Sequence, residues 1–265
     1  MTKKNSRTKK HLGQHWLFDE SSLELIIKTA GIKKTDTVLE IGPGRGPLTD
    51  KISKKAKKVI AVEKDSDLIS ALRVQFLLNE NVEIVNADIM NYDLTTIDRG
   101  YVVVANIPYY LTSAIIRLLM DSSNPPSNII ILIQKEVAER ITSKAGNMSV
   151  LSVSVQLFAE VEYISTITKD KFQPAPKVDS AIIKIKRLKS PVIDVEPNIF
   201  MRLVKAGFGE KRKTLRNSLA GGLRINAVKT GEILRGAGLD ESVRAQELNF
   251  HQWKMLYDAF VPHLT

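Results

Sequence analysis

Val38-Leu39-Glu40-Ile41-Gly42-Pro43-Gly44-Arg45-Gly46 decides the fold. An aliphatic run ends at Gly42, three glycines alternate with Pro43 and Arg45, and Leu48–Lys55 then reads as a helix. A strand running through a glycine turn into a helix is the opening unit of a parallel α/β sheet. Glycines there permit positive φ and let a ligand approach the backbone at a helix N-terminus. The G-x-G-x-G spacing departs from the G-x-G-x-x-G of dinucleotide sites, and Pro43 offers no amide to a pyrophosphate. A plain tight turn is the alternative reading of the same residues.

Outward from this turn the pattern repeats. Val59–Glu63, Glu83–Ala87, Val102–Asn106 and Ile129–Ile133 are short runs rich in Val and Ile, as central strands covered on both faces require. Ser66–Leu78 and Thr112–Met120 read as the helices between them, and Lys135–Thr142 opens another. Beyond, the expectation is a helix over Leu151–Ala159, a strand at Tyr163–Thr168, a Pro-rich loop Phe172–Lys177 and a strand Ser180–Arg187, the last two strands closing the sheet with an antiparallel edge. After Pro191 the β-rich runs vanish, and Pro197–Phe208, Lys213–Ala220, Val228–Gly236 and His251–Val261 read as helices. The expected division is a basic arm (1–19), an α/β domain (20–188) and a small all-helical domain (189–265).

Composition bounds the partners. Lys and Arg number 39 against 29 Asp and Glu, a formal net charge of +10, which suits a polyanion: nucleic acid or an anionic membrane surface. No run of about 18 apolar residues exists to span a bilayer, and Met1–Lys10 lacks the apolar core of a secretory signal, so the expectation is a soluble cytoplasmic protein. There is no cysteine, and His11, His15, His251 and His263 are scattered, so no metal site is expected.

Polar residues cluster at the ends of successive strands. Glu63, about 20 residues beyond the glycine turn, can accept from a ribose diol, and Asp88 can accept from an adenine amine. Each has a plainer reading: a solvated strand-end acid for Glu63, a turn cap for Asp88. The fourth strand ends in Asn106-Ile107-Pro108-Tyr109. The Asn106 side-chain oxygen and the Ile107 carbonyl can hold the hydrogens of an amine in the pyramidal geometry that alkylation demands. Pro108 fixes the chain direction, and Tyr109 offers a ring for stacking on a base. An activated methyl donor needs no strong base beside the amine, which turns acidic only once alkylated.

These residues, with Leu12-Gly13-Gln14-His15-Trp16-Leu17, Gln134-Lys135-Glu136, Phe172-Gln173-Pro174-Ala175-Pro176-Lys177-Val178-Asp179-Ser180 and Lys211-Arg212-Lys213-Thr214-Leu215-Arg216-Asn217-Ser218-Leu219, give a chain that resembles the ribosomal RNA adenine dimethyltransferases acting on the small subunit. The resemblance runs through nearly the whole chain. It implies a Rossmann-like methyltransferase with a seven-stranded, mostly parallel sheet and a helical C-terminal domain. It implies S-adenosylmethionine bound by His15, Leu17, Gly42, Gly44, Glu63, Asp88 and Asn106, and Phe172 as a second aromatic face opposite Tyr109. The expected reaction is dimethylation of the adenine N6 amine in small-subunit rRNA within a pre-ribosomal particle, by a monomer without a metal. Trp16 stands where the family more often has Phe, Ser149 where a Gly is usual, and Gln246 where a Glu is common.

Lys9 and Lys10 in the basic arm, and Lys211, Arg212, Lys213 and Arg216, are expected RNA contacts. Solvated charge is the alternative for both groups. A core plug is the alternative for Phe172, for which the substrate role is preferred. Other readings of the whole chain are the large-subunit methyltransferase of the macrolide-resistance type and a ribosome-assembly factor acting mainly by binding. DNA adenine methylation and nicotinamide chemistry fit the motifs less well.

Overall fold

The computed structural model describes residues 15–210 and 212–263. After a two-residue strand, β1 (Trp16–Leu17), comes helix α1 (Glu20–Ala30). Asp19 caps α1 by accepting from the Ser22 amide, Gly31 ends it at φ 60°, and Leu23, Ile26, Ile27 and Ala30 form its buried face. The expected alternation follows: β2 (Thr37–Ile41), α2 (Pro47–Ser53), β3 (Lys58–Glu63), α3 (Ser66–Gln75), β4 (Val82–Asn86), β5 (Val102–Asn106), α4 (Thr112–Asp121), β6 (Asn128–Gln134) and α5 (Lys135–Thr142). Then come α6 (Val150–Gln156), β7 (Ala159–Ile167), β8 (Phe172–Gln173) and β9 (Ser180–Arg187), and finally α7 (Pro197–Gly207), α8 (Leu215–Leu223), α9 (Ala227–Gly236) and α10 (Phe250–Phe260).

Seven strands form one sheet in the order β4-β3-β2-β5-β6-β9-β7, and β1 pairs separately with β8. The five strands from β4 to β6 are mutually parallel, while β9 runs antiparallel to β6. Every residue of β2 is buried, as is β5 up to Ala105, which explains why these strands read as continuous apolar runs rather than as alternations. Several boundaries differ from expectation: α3 stops at Gln75 rather than Leu78, α6 stops at Gln156, Ala159 already belongs to β7, and α8 runs over Leu215–Leu223. Strand β9 lies between β6 and β7, so β4 and β7 are the two edges of the sheet.

The chain divides into two compact units. One comprises the residues up to Ala138 together with Glu162–Arg187; the other comprises Glu139–Val161 and everything from Leu188. The second therefore begins earlier than a boundary at 188/189 supposes. The cause is packing: Met148, Val153 and Leu157 are buried in the same cluster as Phe200, Leu219, Trp253 and Phe260. Ser149, one of the departures from the family pattern, caps α6 in a reciprocal pair with Ser152. Likewise the basic arm ends sooner than residue 19, because Trp16 and Leu17 pair with Gln173 and Phe172.

Candidate active site

The strand order turns back between β2 and β5, and the crevice at the carboxyl ends of the strands beside such a switch is where open α/β sheets bind ligands. Beyond β2 the chain makes the glycine turn, with Gly42, Gly44 and Gly46 at φ 70°, 60° and 83°. A Cβ on Gly46 would come within 2.8 Å of the Phe76 ring, and one on Gly44 within 3.1 Å of the Trp16 indole. The turn thus needs glycine for conformation and for space, and it delivers the chain to α2 with Pro47 in the first turn.

A cleft of about 820 Å³, open solvent at its mouth included, lies over these strand ends. Its lining joins His15, Gly42, Gly44, Glu63, Asp88, Asn106, Ile107, Pro108 and Tyr109, all named from sequence.

Glu63, at the end of β3, is 7% exposed. Its two carboxylate oxygens accept from the Gly44 amide (3.1 Å) and the Asp65 amide (2.8 Å), so the glycine turn and the acid hold each other. Burial pushes the carboxyl above its usual range, and these amide bonds partly offset that. Asp88 accepts from the Met90 amide (3.0 Å) and from Lys64 Nζ (2.7 Å), and the lysine holds its carboxyl below the usual range. It is both a turn cap and a wall of the cleft. Asn106 Nδ2 donates to the His15 carbonyl (3.0 Å), which fixes the orientation of the side-chain amide. The Ile107 amide donates to the Leu132 carbonyl (3.3 Å), which fixes the Asn106–Ile107 peptide to the end of β6. Tyr109 stacks on His15, ring centroids 5.8 Å apart, and its phenol meets the Ser180 hydroxyl at 2.7 Å.

Two expected residues stand elsewhere. Phe172 is 5% exposed, packed in the core with Leu17, Ile167 and Ile182, and lines no part of the cleft. Its ring is drawn inward because β8 pairs with β1, the register setting it against Leu17. Leu17 is 3% exposed in the same core and is likewise absent from the cleft wall. Its neighbour Trp16 lines the cleft instead, and the Arg45 guanidinium sits 4.0 Å over the indole. Lys64 and Tyr110 also line the cleft. Neither carries a sequence signal beyond adjacency to Glu63 and Tyr109.

Of the expected RNA contacts, Lys9, Lys10 and Lys211 lie outside the described residues. Arg212 and Lys213 precede α8 rather than lying on it, because Thr214 is the cap. Lys213 pairs with Glu210 (2.9 Å), and Arg216 with Glu241 (2.7 Å), which also binds Arg235 (3.1 Å). The cluster is therefore partly neutralised from within, whereas Arg212 is exposed.

Residues 5–258 match the model of the ribosomal RNA adenine dimethylase family. A ribosomal RNA small subunit methyltransferase A from Dehalococcoides mccartyi (strain CBDB1) is 40% identical over 94% of this chain and 87% of its own. A protein of the same name from Desulfitobacterium hafniense (strain DSM 10664 / DCB-2) is 37% identical over 99% of this chain and 95% of its own. Among solved structures, a dimethyladenosine transferase from Plasmodium falciparum superposes with a TM-score of 0.82 at 29% identity, covering 93% of this chain and 97% of that one. The 23S rRNA methyltransferase ErmE gives 0.77 at 28% identity, covering 92% and 98%.

Proposed function

The chain belongs to the ribosomal RNA adenine dimethylase family, and from that premise we propose that it transfers two methyl groups from S-adenosylmethionine to the N6 amine of adenines in small-subunit rRNA. The observation that carries the proposal is the Asn106 amide. Its nitrogen donates to the His15 carbonyl and the residue lines the cleft next to Ile107, so in this reading its oxygen serves as the acceptor for the amine.

The cleft fits the cofactor. Gly42, at φ 70° in the cleft lining, sets its backbone against the space a ligand would occupy with no side chain between. Glu63, fixed by two amides, keeps lone pairs for a ribose diol, and Asp88 stands one strand further along for an adenine amine. S-adenosylmethionine, when bound, supplies a methyl group already activated on a sulfonium. The protein's task is then geometric. Asn106 and Ile107 accept the two amine hydrogens and favour a pyramidal nitrogen, while Tyr109 offers the face not covered by His15 to the base. The alkylated nitrogen sheds its proton without a dedicated base, and an activated donor calls for no Lewis acid. Phe172 packs in the core and pairs with Leu17 of β1.

The finer reading is that the protein acts as a cytoplasmic monomer on a pre-ribosomal particle, with Arg212 and its basic neighbours contacting the RNA. The charge of +10 supports the RNA contact, and the naming of the relatives supports the small-subunit rRNA address. Mapping methylated adenines after incubation with undermethylated ribosomal subunits tests the address. Modification of small-subunit rRNA is expected; modification confined to large-subunit rRNA overturns it in favour of the activity named for ErmE.

A further inference from the structure

We propose that Ser180 is a positioning residue for methyl transfer: its hydroxyl holds the Tyr109 phenol and thereby fixes the plane of the ring on which the target adenine stacks. The inference rests on the role given to Tyr109 above. The backbone at Tyr109 is restrained by the bond from the Leu111 amide to the Pro108 carbonyl (2.9 Å) and by Thr112 Oγ1 donating to the Tyr109 carbonyl (3.1 Å). Neither contact fixes the side-chain torsions, which would leave the ring free to tilt. The tip is fixed instead by Ser180, whose hydroxyl oxygen lies 2.7 Å from the phenol oxygen across 71 residues of sequence.

Ser180 is itself immobilised. It is 0% exposed, opens β9, and pairs with Gln134 at the end of β6, while the Asp179 carbonyl before it accepts from the Lys135 amide (3.0 Å). Alanine would fill this buried position almost as well and would spare the burial of a hydroxyl, so packing alone gives no reason for serine. Stacking alone gives no reason for the tyrosine hydroxyl either, since phenylalanine presents the same face. The two hydroxyls explain each other. With His15 against one side of the ring, the bond at the tip leaves one orientation for the exposed face.

A tilted ring tilts the base, and a displacement of about 1 Å at the reacting nitrogen is enough to lower the rate by roughly a hundredfold. Losing one hydrogen bond loosens the ring without removing it, so Ser180→Ala and Tyr109→Phe are each expected to lower kcat roughly tenfold. The dissociation constant for S-adenosylmethionine and the KM for RNA should stay within about twofold, since the hydroxyl pair touches neither. The double variant should resemble either single one, because both changes break one bond.

The experiment measures kcat, KM and cofactor affinity for Ser180→Ala, Tyr109→Phe, the double variant and Tyr109→Ala, with melting temperature as the check on folding. Tenfold losses in kcat that do not multiply in the double variant support the proposal. It is overturned if Ser180→Ala and Tyr109→Phe keep wild-type kcat while Tyr109→Ala is impaired, which leaves the stacking role of Tyr109 standing. It is also overturned if the two losses multiply to roughly a hundredfold, or if the loss lies in KM or cofactor affinity. Wild-type kcat in Tyr109→Ala would remove the stacking role itself, and the proposal with it.

Discussion

Glu63 and Glu40 are both buried carboxylates near the glycine turn, and their surroundings give them different work. Glu63 is anchored by two amides at the rim of the cleft, so Glu63→Ala removes a ligand acceptor and frees the Gly44 amide together. Titration calorimetry should find S-adenosylmethionine affinity lowered roughly ten- to hundredfold, the scale of hydrogen bonds to a charged group. Glu40 sits mid-strand, 1% exposed, paired in register with Ala61 and Val104. Burial pushes its carboxyl up to about 8, and one Glu40 oxygen and the Thr49 hydroxyl are buried without a hydrogen-bond partner. An acid whose folded pKa exceeds its unfolded value holds its proton more tightly when folded. Its contribution is therefore full below about pH 4.5 and is lost as pH rises toward 8. Glu40→Gln should melt higher than wild type at pH 8.5, with the gap closing toward pH 5. Glu63 and Asn106 were legible from sequence because a strand end dictates where its last polar side chain goes. The Tyr109–Ser180 contact was not, because it exists only once β9 has been laid against β6.

Elements carry the site to its place. Gly46 joins β2 to α2 at φ 83°, with the Phe76 ring where a Cβ would go, so Gly46→Ala meets both backbone strain and a clash. Chemical denaturation should register a loss of about 1–3 kcal/mol, along with weakened cofactor binding. Asp19 caps α1 and also receives Lys171 Nζ at 2.6 Å, which ties the start of the helix to the segment before β8. The lysine, chiefly, and the Ser21 and Ser22 hydroxyls hold its carboxyl far below the usual range. That stabilisation is complete above the ordinary carboxylate pKa of about 4 and fades as pH falls below it, so Asp19→Asn should narrow the difference in melting temperature between pH 6 and pH 3. The five parallel strands were readable because their burial on both faces makes them uniformly apolar. Helix α1 went unread, although Asp19 and the spacing of Leu23, Ile26, Ile27 and Ala30 carry its signal, because it lies outside the β-α alternation that organises the rest. The early entry into the helical unit at residue 139 was hidden, because Met148, Val153 and Leu157 look like any core residues until their partners are known. Phe172 sat between two readings for the same reason: an aromatic in a Pro-rich loop serves a ligand or the core, and pairing of β8 with β1 brings it to the core.

For the whole molecule, the charge of +10 makes RNA affinity a matter of counterion release, with log K falling linearly in log salt. Arg212→Ala should reduce that slope by about 0.7–0.9, the value for one phosphate contact. Arg216→Ala should change it less, since its guanidinium is already engaged by Glu241. The reaction itself depends on the sheet bringing Asn106, Glu63 and the glycine turn to one cleft from three strands far apart in sequence. Transfer of labelled methyl from S-adenosylmethionine to undermethylated small subunits, with the nucleosides resolved after digestion, tests this most directly. The wild-type protein should yield N6,N6-dimethyladenosine, and Asn106→Ala, folded and still binding cofactor, should lose roughly a hundredfold or more in rate. Dimethyladenosine formed by that variant at the wild-type rate would contradict the account.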